Sequence, residues 1–157
     1  MKRINVFLMV VLILLIAFTV YFFIGGRLQA DVTTITANAA DYPDAFESIL
    51  NVLSSGSAPQ RFSGEVPSSA EDWTLVDTTV MLSNRGLFAA EWIDISVEAA
   101  PGDLAVYSLS GEGTDVRAQS SARVNLKLIT TAPADAQRDI TLTYYVYGMR
   151  RTLTVTG

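Results

Sequence analysis

The chain has 157 residues, half of them apolar, with 11 basic and 16 acidic side chains, no cysteine and no histidine. That inventory excludes disulfides, thiolate nucleophiles and Cys-ligated zinc. It also excludes an imidazole base, a Ser-His-Asp triad and His-bound metal. A net charge of −5 argues against nucleic acid as a partner, since that needs a basic face.

The mean hydropathy of +0.32 averages two unlike materials. Ile4 to Ile24 is 21 residues long, uncharged, and polar only at Asn5 and Thr19. As a helix it spans roughly 30 Å, about one hydrocarbon core. A buried helix would show a polar face, and this segment is apolar all round. A cleaved signal peptide is the rival reading. Its apolar core would be shorter, and the candidate site after Ala30 places the bulky Leu28 where a small residue is preferred. The expectation is therefore an uncleaved, single-pass anchor over residues 1–30, with Tyr21, Phe22 and Phe23 near the far interface. Lys2 and Arg3 precede the span. Beyond it stand Arg27 and then Asp31, Asp41, Asp44 and Glu47. The positive-inside rule puts the N-terminus in the cytoplasm and the rest outside. A pilin-like subunit is rejected, because the chain has neither a Gly-terminated basic leader nor a Glu five residues into the apolar segment.

Residues 31–157 hold eight basic and all sixteen acidic residues, a formal charge of −8. Such a domain is expected to be repelled by anionic lipid rather than to spread on it. The missing cysteines and the absence of any Asn-x-Ser/Thr acceptor lean toward a bacterial envelope.

Residues 31–72 read as a juxtamembrane segment. Val32 and Ile35 suggest at most a brief strand. Asp41-Tyr42-Pro43-Asp44 has the composition of a helix start. Tyr42, Phe46, Ile49, Leu50 and Leu53 then form one apolar stripe. A helix of about three turns needs a surface to pack on, and the β domain of the same chain is the expected one. Residues 54–72, rich in Ser, Gly and Pro, read as a linker with Phe62 and Val66 as local anchors.

From Trp73 the period becomes two. Val76, Val80 and Leu82 make one inward row. Ile93, Ile95, Val97 and Ala99 make a second, Val124, Leu126 and Leu128 a third, and Ile140, Leu142, Tyr144 and Val146 a fourth. Leu104 to Leu109 and a last strand with Leu153 and Val155 complete the set. Turn residues separate these strands, and no βαβ helices intervene. The expected fold is an all-β ectodomain over residues 73–157, an antiparallel β-sandwich preceded by one transmembrane helix and one short amphipathic helix.

The run Leu82-Ser83-Asn84-Arg85-Gly86, the small pair Ala89-Ala90, the strand Trp92-Ile93-Asp94-Ile95-Ser96-Val97 and the later strand Val124-Asn125-Leu126-Lys127-Leu128 carry a resemblance. Over residues 73–157 the chain resembles bacterial immunoglobulin-like domains of the cell-adhesion-related type. The resemblance implies an immunoglobulin-like sandwich and a non-catalytic adhesive or scaffold habit. It transfers no functional residues.

No catalytic, cofactor or metal site is expected. Asp94 and Glu98 share a strand face but stand about 13 Å apart, too far for a glycosidase pair. Glu112 and Asp115 lack the close acidic spacing of a calcium loop. Arg138, Arg150 and Arg151 look like one basic concentration flanking a hairpin. Trp92, Tyr145 and Tyr147 point outward and are the candidate interaction surface. The bland expectation for them is that the 42–53 helix or the 54–72 loop covers them. The function these features predict is a membrane-anchored extracytoplasmic interaction or scaffold domain, with a protein partner in the envelope and no enzymatic activity. A cell-wall carbohydrate-binding or adhesive module is the alternative, and an enzyme of unusual carboxylate type is the third class.

Overall fold

The computed structural model describes residues 2–24, 28–63, 65–66, 68–133 and 135–157. The side chains of Lys2, Arg3, Phe22 and Phe23, and residues 25–27 with Arg27, lie outside what it describes. The expectations for the charge asymmetry and for the second and third aromatics of the interface ring fall there.

Helix α1 runs Lys2–Ile24. Its stretch Ile4–Tyr21 is long and apolar enough to cross a membrane, and none of it is buried. Among the described residues eight strands follow: β1 Leu28–Asn38, β2 Gln60–Arg61, β3 Thr74–Asn84, β4 Ala90–Val97, β5 Asp103–Ser110, β6 Ser120–Thr130, β7 Asp139–Val146 and β8 Met149–Thr156. They form two antiparallel sheets. One has five strands in the order β1-β3-β6-β5-β2, and the other has three in the order β4-β7-β8. The inner faces meet in one cluster. Val76, Val80 and Leu82 pack there with Val124, Leu126 and Leu128 of the same sheet, and with Ile93, Ile95, Val97, Ile140, Leu142, Tyr144 and Val146 of the other. The alternation predicted for these four rows holds, except that β4 ends at Val97 and Ala99 is exposed.

Three expectations upstream of Trp73 need correction. The sheet does not start at residue 73. Strand β1 is eleven residues long and pairs with β3 over its whole length, Leu28 opposite Asn84 and Asn38 opposite Thr74. Val32 and Ile35 are three apart and so lie on opposite faces; Ile35 is 67% exposed. The linker is not free of sheet either, because Gln60 and Arg61 pair with Val106 and Ala105. Phe62 packs on the core, whereas Val66 is exposed. Finally, α2 spans Pro43–Ser54, with Pro43 in its first turn and Tyr42 at the cap without a side-chain bond. Asp41 belongs to a preceding 3-10 turn, Ala39–Asp41, rather than capping the helix.

Helix α2 buries Phe46, Ile49 and Leu53 against Leu104, Ala105 and Ile129, with Trp73, Leu75 and Tyr107 around them. This is the outer face of the five-stranded sheet. The stripe therefore packs on the same chain, as its periodicity demands, and the exposed Tyr42 stands outside it.

The sandwich has two distinct ends. The near end, three residues after α1, gathers Leu28, Asn84, Ser120, Ala90, Val146 and Met149. Val116 ties this end together, bridging Ala90 and accepting from Asn84 Nδ2. The far end holds Asn38, Thr74, Thr130 and Asp103. There Arg138 is buried against Asp103 in a two-pronged pair, Nε–Oδ2 2.9 Å and Nη2–Oδ1 2.7 Å.

Candidate interaction surface

The outward rows of the three-stranded sheet carry Ser96, Asp94 and Glu91 on β4, Thr141, Thr143 and Tyr145 on β7, and Thr154, Thr152 and Arg150 on β8. No element covers this face among the described residues. The expected cover by α2 or the 54–72 segment is thus overturned. The helix stripe had two sheet faces to choose from, and Leu75, Leu104 and Ile129 offered it the apolar one. Trp92 stays 72% exposed, Tyr147 70% and Tyr145 38%.

Local backbone geometry aims these rings. Between Glu91 opposite Tyr145 and Asp94 opposite Thr143 the register shifts, so Trp92 and Ile93 together face Tyr144. Such a bulge lets two successive side chains diverge: Ile93 drops into the core at 1% exposure and Trp92 turns out. Trp92 has φ +54, a conformation that suits glycine. Its N–H is held by Asp115 Oδ1 at 3.0 Å. At the β7–β8 hairpin Tyr147 and Gly148 have φ +53 and +74, the positive pair of a type I′ turn, where Asn-Gly is the favoured sequence. Tyr147 meets Phe88 edge-on, with ring centroids 5.2 Å apart.

The third non-glycine residue with positive φ is Gln119, at +56. Its side-chain amide donates to the carbonyls of Arg85 and Gly86, at 2.6 and 3.1 Å. From the other side, the buried Asn84 donates to Phe88 and Val116 carbonyls at 2.8 and 2.9 Å and accepts from Gly86 N–H at 2.9 Å. The Ser83–Gly86 turn read from sequence is thus a rigid bracket that presents Arg85 and Leu87, the latter 56% exposed. All three strained residues among those described sit at the near end. Strain of order 1–3 kcal/mol per residue collects where geometry serves a purpose other than stability.

Trp92, Tyr145, Glu91 and Gly148 line a shallow, open depression of about 330 Å³. A larger one, about 440 Å³, opens at the far end between Glu98, Pro101, Gln137 and Asp139.

The charged residues distribute differently from the sequence expectation. Arg150 and Arg151 lie at the near end, opposite Tyr145 and Tyr144, but Arg138 is buried at the far end, so the three do not form one concentration. Burial raises the Asp103 carboxyl, yet the hydrogen bonds from Arg138, Thr130 and Ala100 outweigh it and its pKa is lowered. Asp94 does not pair with Glu98. It lies against Glu112, whose pKa is raised, first by partial burial and then by the Asp94 carboxylate. Asp115 is engaged by Trp92, and no three acidic side chains among the described residues gather as a metal-ligand set.

Comparison with known proteins gives no family. No family model matches the chain, and neither does any curated protein. Solved structures that overlay on it include a yeast GGA1 GAE domain, "GGA1_GAE domain-P21", with TM-score 0.43 and 11% identity over 53% of this chain and 77% of that one. The GAE domain of GGA2p from Saccharomyces cerevisiae gives 0.43 and 10%, over 62% and 82%. A Northeast Structural Genomics Consortium target, SoR45, gives 0.44 and 14%, over 82% and 81%. At these scores the likenesses carry no argument, and the two-sheet architecture rests on the strand pairing itself.

Proposed function

We propose that the protein is a membrane-anchored, extracytoplasmic interaction domain of the bacterial envelope. In this reading it is a non-catalytic immunoglobulin-like sandwich of adhesive or scaffold type. Helix α1 is the uncleaved anchor, the N-terminus is cytoplasmic, and the sandwich stands outside. The contact surface is the uncovered sheet face around Trp92, Tyr145 and Tyr147, and the partner is another envelope protein.

The observation that carries this reading is the placement of Trp92. A large aromatic ring stands exposed on a backbone conformation that glycine would fill at less cost. Exposed Trp and Tyr are the residues that anchor protein contacts, and a strained, uncovered one has no stability reason to be there. The non-catalytic reading is supported by the exposure of Asp94 and Glu112, both open to solvent.

The test replaces Trp92 or Tyr145 by a photoreactive residue in intact cells, with Ala136 as far-end control. A discrete adduct from 92 and 145, absent from 136, supports the proposal; adducts equal at all three positions, or none, contradict it. The depression between Trp92, Tyr145 and Glu91 favours the glycan alternative, since aromatic faces with a carboxylate beside them suit a sugar ring. That reading requires isolated wall glycans to bind the chain, with binding lost in Tyr145→Ala.

A further inference from the structure

We infer that β1 is the edge through which two copies of this chain pair, antiparallel, into one continuous sheet. The pairing stands on strand geometry and does not depend on the contact surface around Trp92.

The hydrogen-bond alternation shows which groups β1 leaves free. Ala39 N–H donates to Trp73 O at 2.9 Å, one step beyond Asn38 opposite Thr74 in the β1–β3 register. Bonded and non-bonded pairs alternate along an antiparallel ladder. The odd residues from Gln29 to Ala37 are therefore bonded to β3, and the even ones from Ala30 to Asn38 turn their N–H and C=O groups away from it. Leu28 obeys the same parity, because its N–H leaves the sheet for Tyr144 Oη at 3.1 Å. Among the described residues no hydrogen bond reaches the outward backbone groups of Ala30, Val32, Thr34 or Thr36.

The other strand edges are guarded. Beyond β4, Val116 exchanges both backbone bonds with Ala90, Gly113 and Thr114 bond Ile93, and Asp115 Oδ1 accepts from Trp92 N–H. Gln60 completes that edge with its side-chain amide, donating to Ile95 O at 2.9 Å and accepting from Val97 N–H at 3.1 Å. Strand β5 is lined by β2, and β8 carries Arg150 and Arg151, charges of the kind that protect an edge. Strand β1 has no such device. It runs eleven residues without a register shift, contains no proline and has Asp31 as its single charge. An edge of that kind is a template for another extended strand.

A second β1 is the strand that fits. When two copies pair antiparallel about Thr34, their even rows face each other, and the free groups of both are satisfied in one closed, isologous contact. Leu28, whose N–H is taken, falls outside that register. Thr33 of one copy then lies opposite Ile35 of the other, beside a side chain that is 67% exposed in the single chain. Asp31 lies opposite Ala37 and not opposite its own copy. The two-fold axis stands perpendicular to the sheet, so both Trp92–Tyr145 faces emerge on one side of the pair. In the anchor reading both tethers enter one bilayer when that axis is the membrane normal, and confinement to the bilayer raises the local concentration of copies.

The chain has no cysteine, so one introduced spin label per chain reports only on its copy. The full chain is reconstituted in liposomes with a label at Ile35→Cys or at Gln29→Cys, and dipolar coupling measures the distance between copies. About a centre at Thr34 the two labels at 35 are offset by two residues along the seam and those at 29 by ten. The pairing predicts less than about 20 Å at 35 and roughly 35 Å at 29. Thr36→Pro removes an outward N–H and no bond to β3. Thr33→Lys sets like charges across the seam and leaves every backbone donor in place, so it carries the test if the proline variant does not fold. Each should abolish the coupling at 35 while the tryptophan-monitored unfolding transition persists. No coupling at 35, equal distances at 29 and 35, or coupling that survives these substitutions in a folded chain overturns the pairing. Absence of coupling in the pure chain, with the same label immobilised in native membranes, assigns the edge to a strand of another protein and refutes the second copy.

Discussion

Replacing Trp92 by glycine and by alanine separates backbone strain from side-chain contact. Both variants lose the same ring, so whatever the ring contributes cancels between them. A residue with a Cβ at positive φ costs roughly 1–2 kcal/mol, and Trp92 sits at φ +54. Glycine removes that cost but gains freedom in the unfolded chain, which returns about 0.4–1 kcal/mol. Trp92→Gly should therefore be more stable than Trp92→Ala by about 0.5–1 kcal/mol. In an ordinary strand the order is reversed, with glycine worse by roughly 0.5–1 kcal/mol. The sign of the difference is the test. Urea unfolding of the full chain in detergent micelles measures it. Trp73, half-buried beside α2, is then the single tryptophan and reports the transition. A glycine variant less stable than the alanine variant would refute the strained-bulge account and, with it, the argument that Trp92 is held out for contact.

Four other outcomes follow from the same geometry. Leu53→Ala empties a site 1% exposed beneath α2 and should cost about 2–5 kcal/mol by chemical denaturation. Asn84→Ala removes the donor to the Phe88 and Val116 carbonyls and the acceptor of the Gly86 N–H, while Val116 O keeps the Ala90 N–H; a loss of about 1–3 kcal/mol is expected, together with faster amide exchange across residues 85–88. The Asp103 carboxyl has a folded pKa below its ordinary 3.8, so its stabilisation is complete above about pH 4 and is lost as pH falls through the folded value. Asp103→Asn should flatten that acid limb and, by leaving Arg138 buried without its counter-charge, lower stability at pH 7 by about 3–5 kcal/mol. Glu112 shows the opposite sign. Its folded pKa is raised, so the ionised pair with Asp94 opposes folding at neutral pH; Glu112→Gln should raise the melting temperature at pH 7 and leave it unchanged near pH 3.

The rows that form the core were readable because each buries one face, and a period of two then fixes which residues point inward. Val76, Val80 and Leu82 or Ile140, Leu142 and Tyr144 needed no further information. Strand β1 was not readable in the same way. Its sequence LQADVTTITAN has a Thr-rich edge strand's composition, with only Leu28 fully buried, so its membership in the sheet is decided by pairing with β3 rather than by its own pattern. Likewise Gln60 and Arg61 join β5 with no hydrophobic signal at all. The position of α2 depended on which of two outer faces was apolar. Leu104 and Ile129 settle that, but both lie next to inward residues and their direction follows from the irregular β5–β6 register.

The surface shows the same division. Trp92, Tyr145 and Tyr147 were visible as outward positions. That Trp92 and Tyr147 stand on strained backbone was not, because a register shift and a two-residue turn create the strain. Which charged residues the fold brings to one end was also hidden. Arg85, Arg117 and Arg150 are far apart in sequence and come together through the topology alone. Asp94 and Glu112 meet for the same reason.

The central claim is that the sandwich stands outside a membrane held by an uncleaved α1. Labelling of intact cells with a membrane-impermeant maleimide tests it most directly, using one chain with cysteine at Ala136 and one with cysteine inserted after Met1. The account predicts that position 136 is labelled at once in the membrane fraction, and that the N-terminal cysteine is labelled only after permeabilisation. Labelling of the N-terminal cysteine first, or recovery of the 136-labelled chain in the medium with a mature start at Asp31, would contradict it.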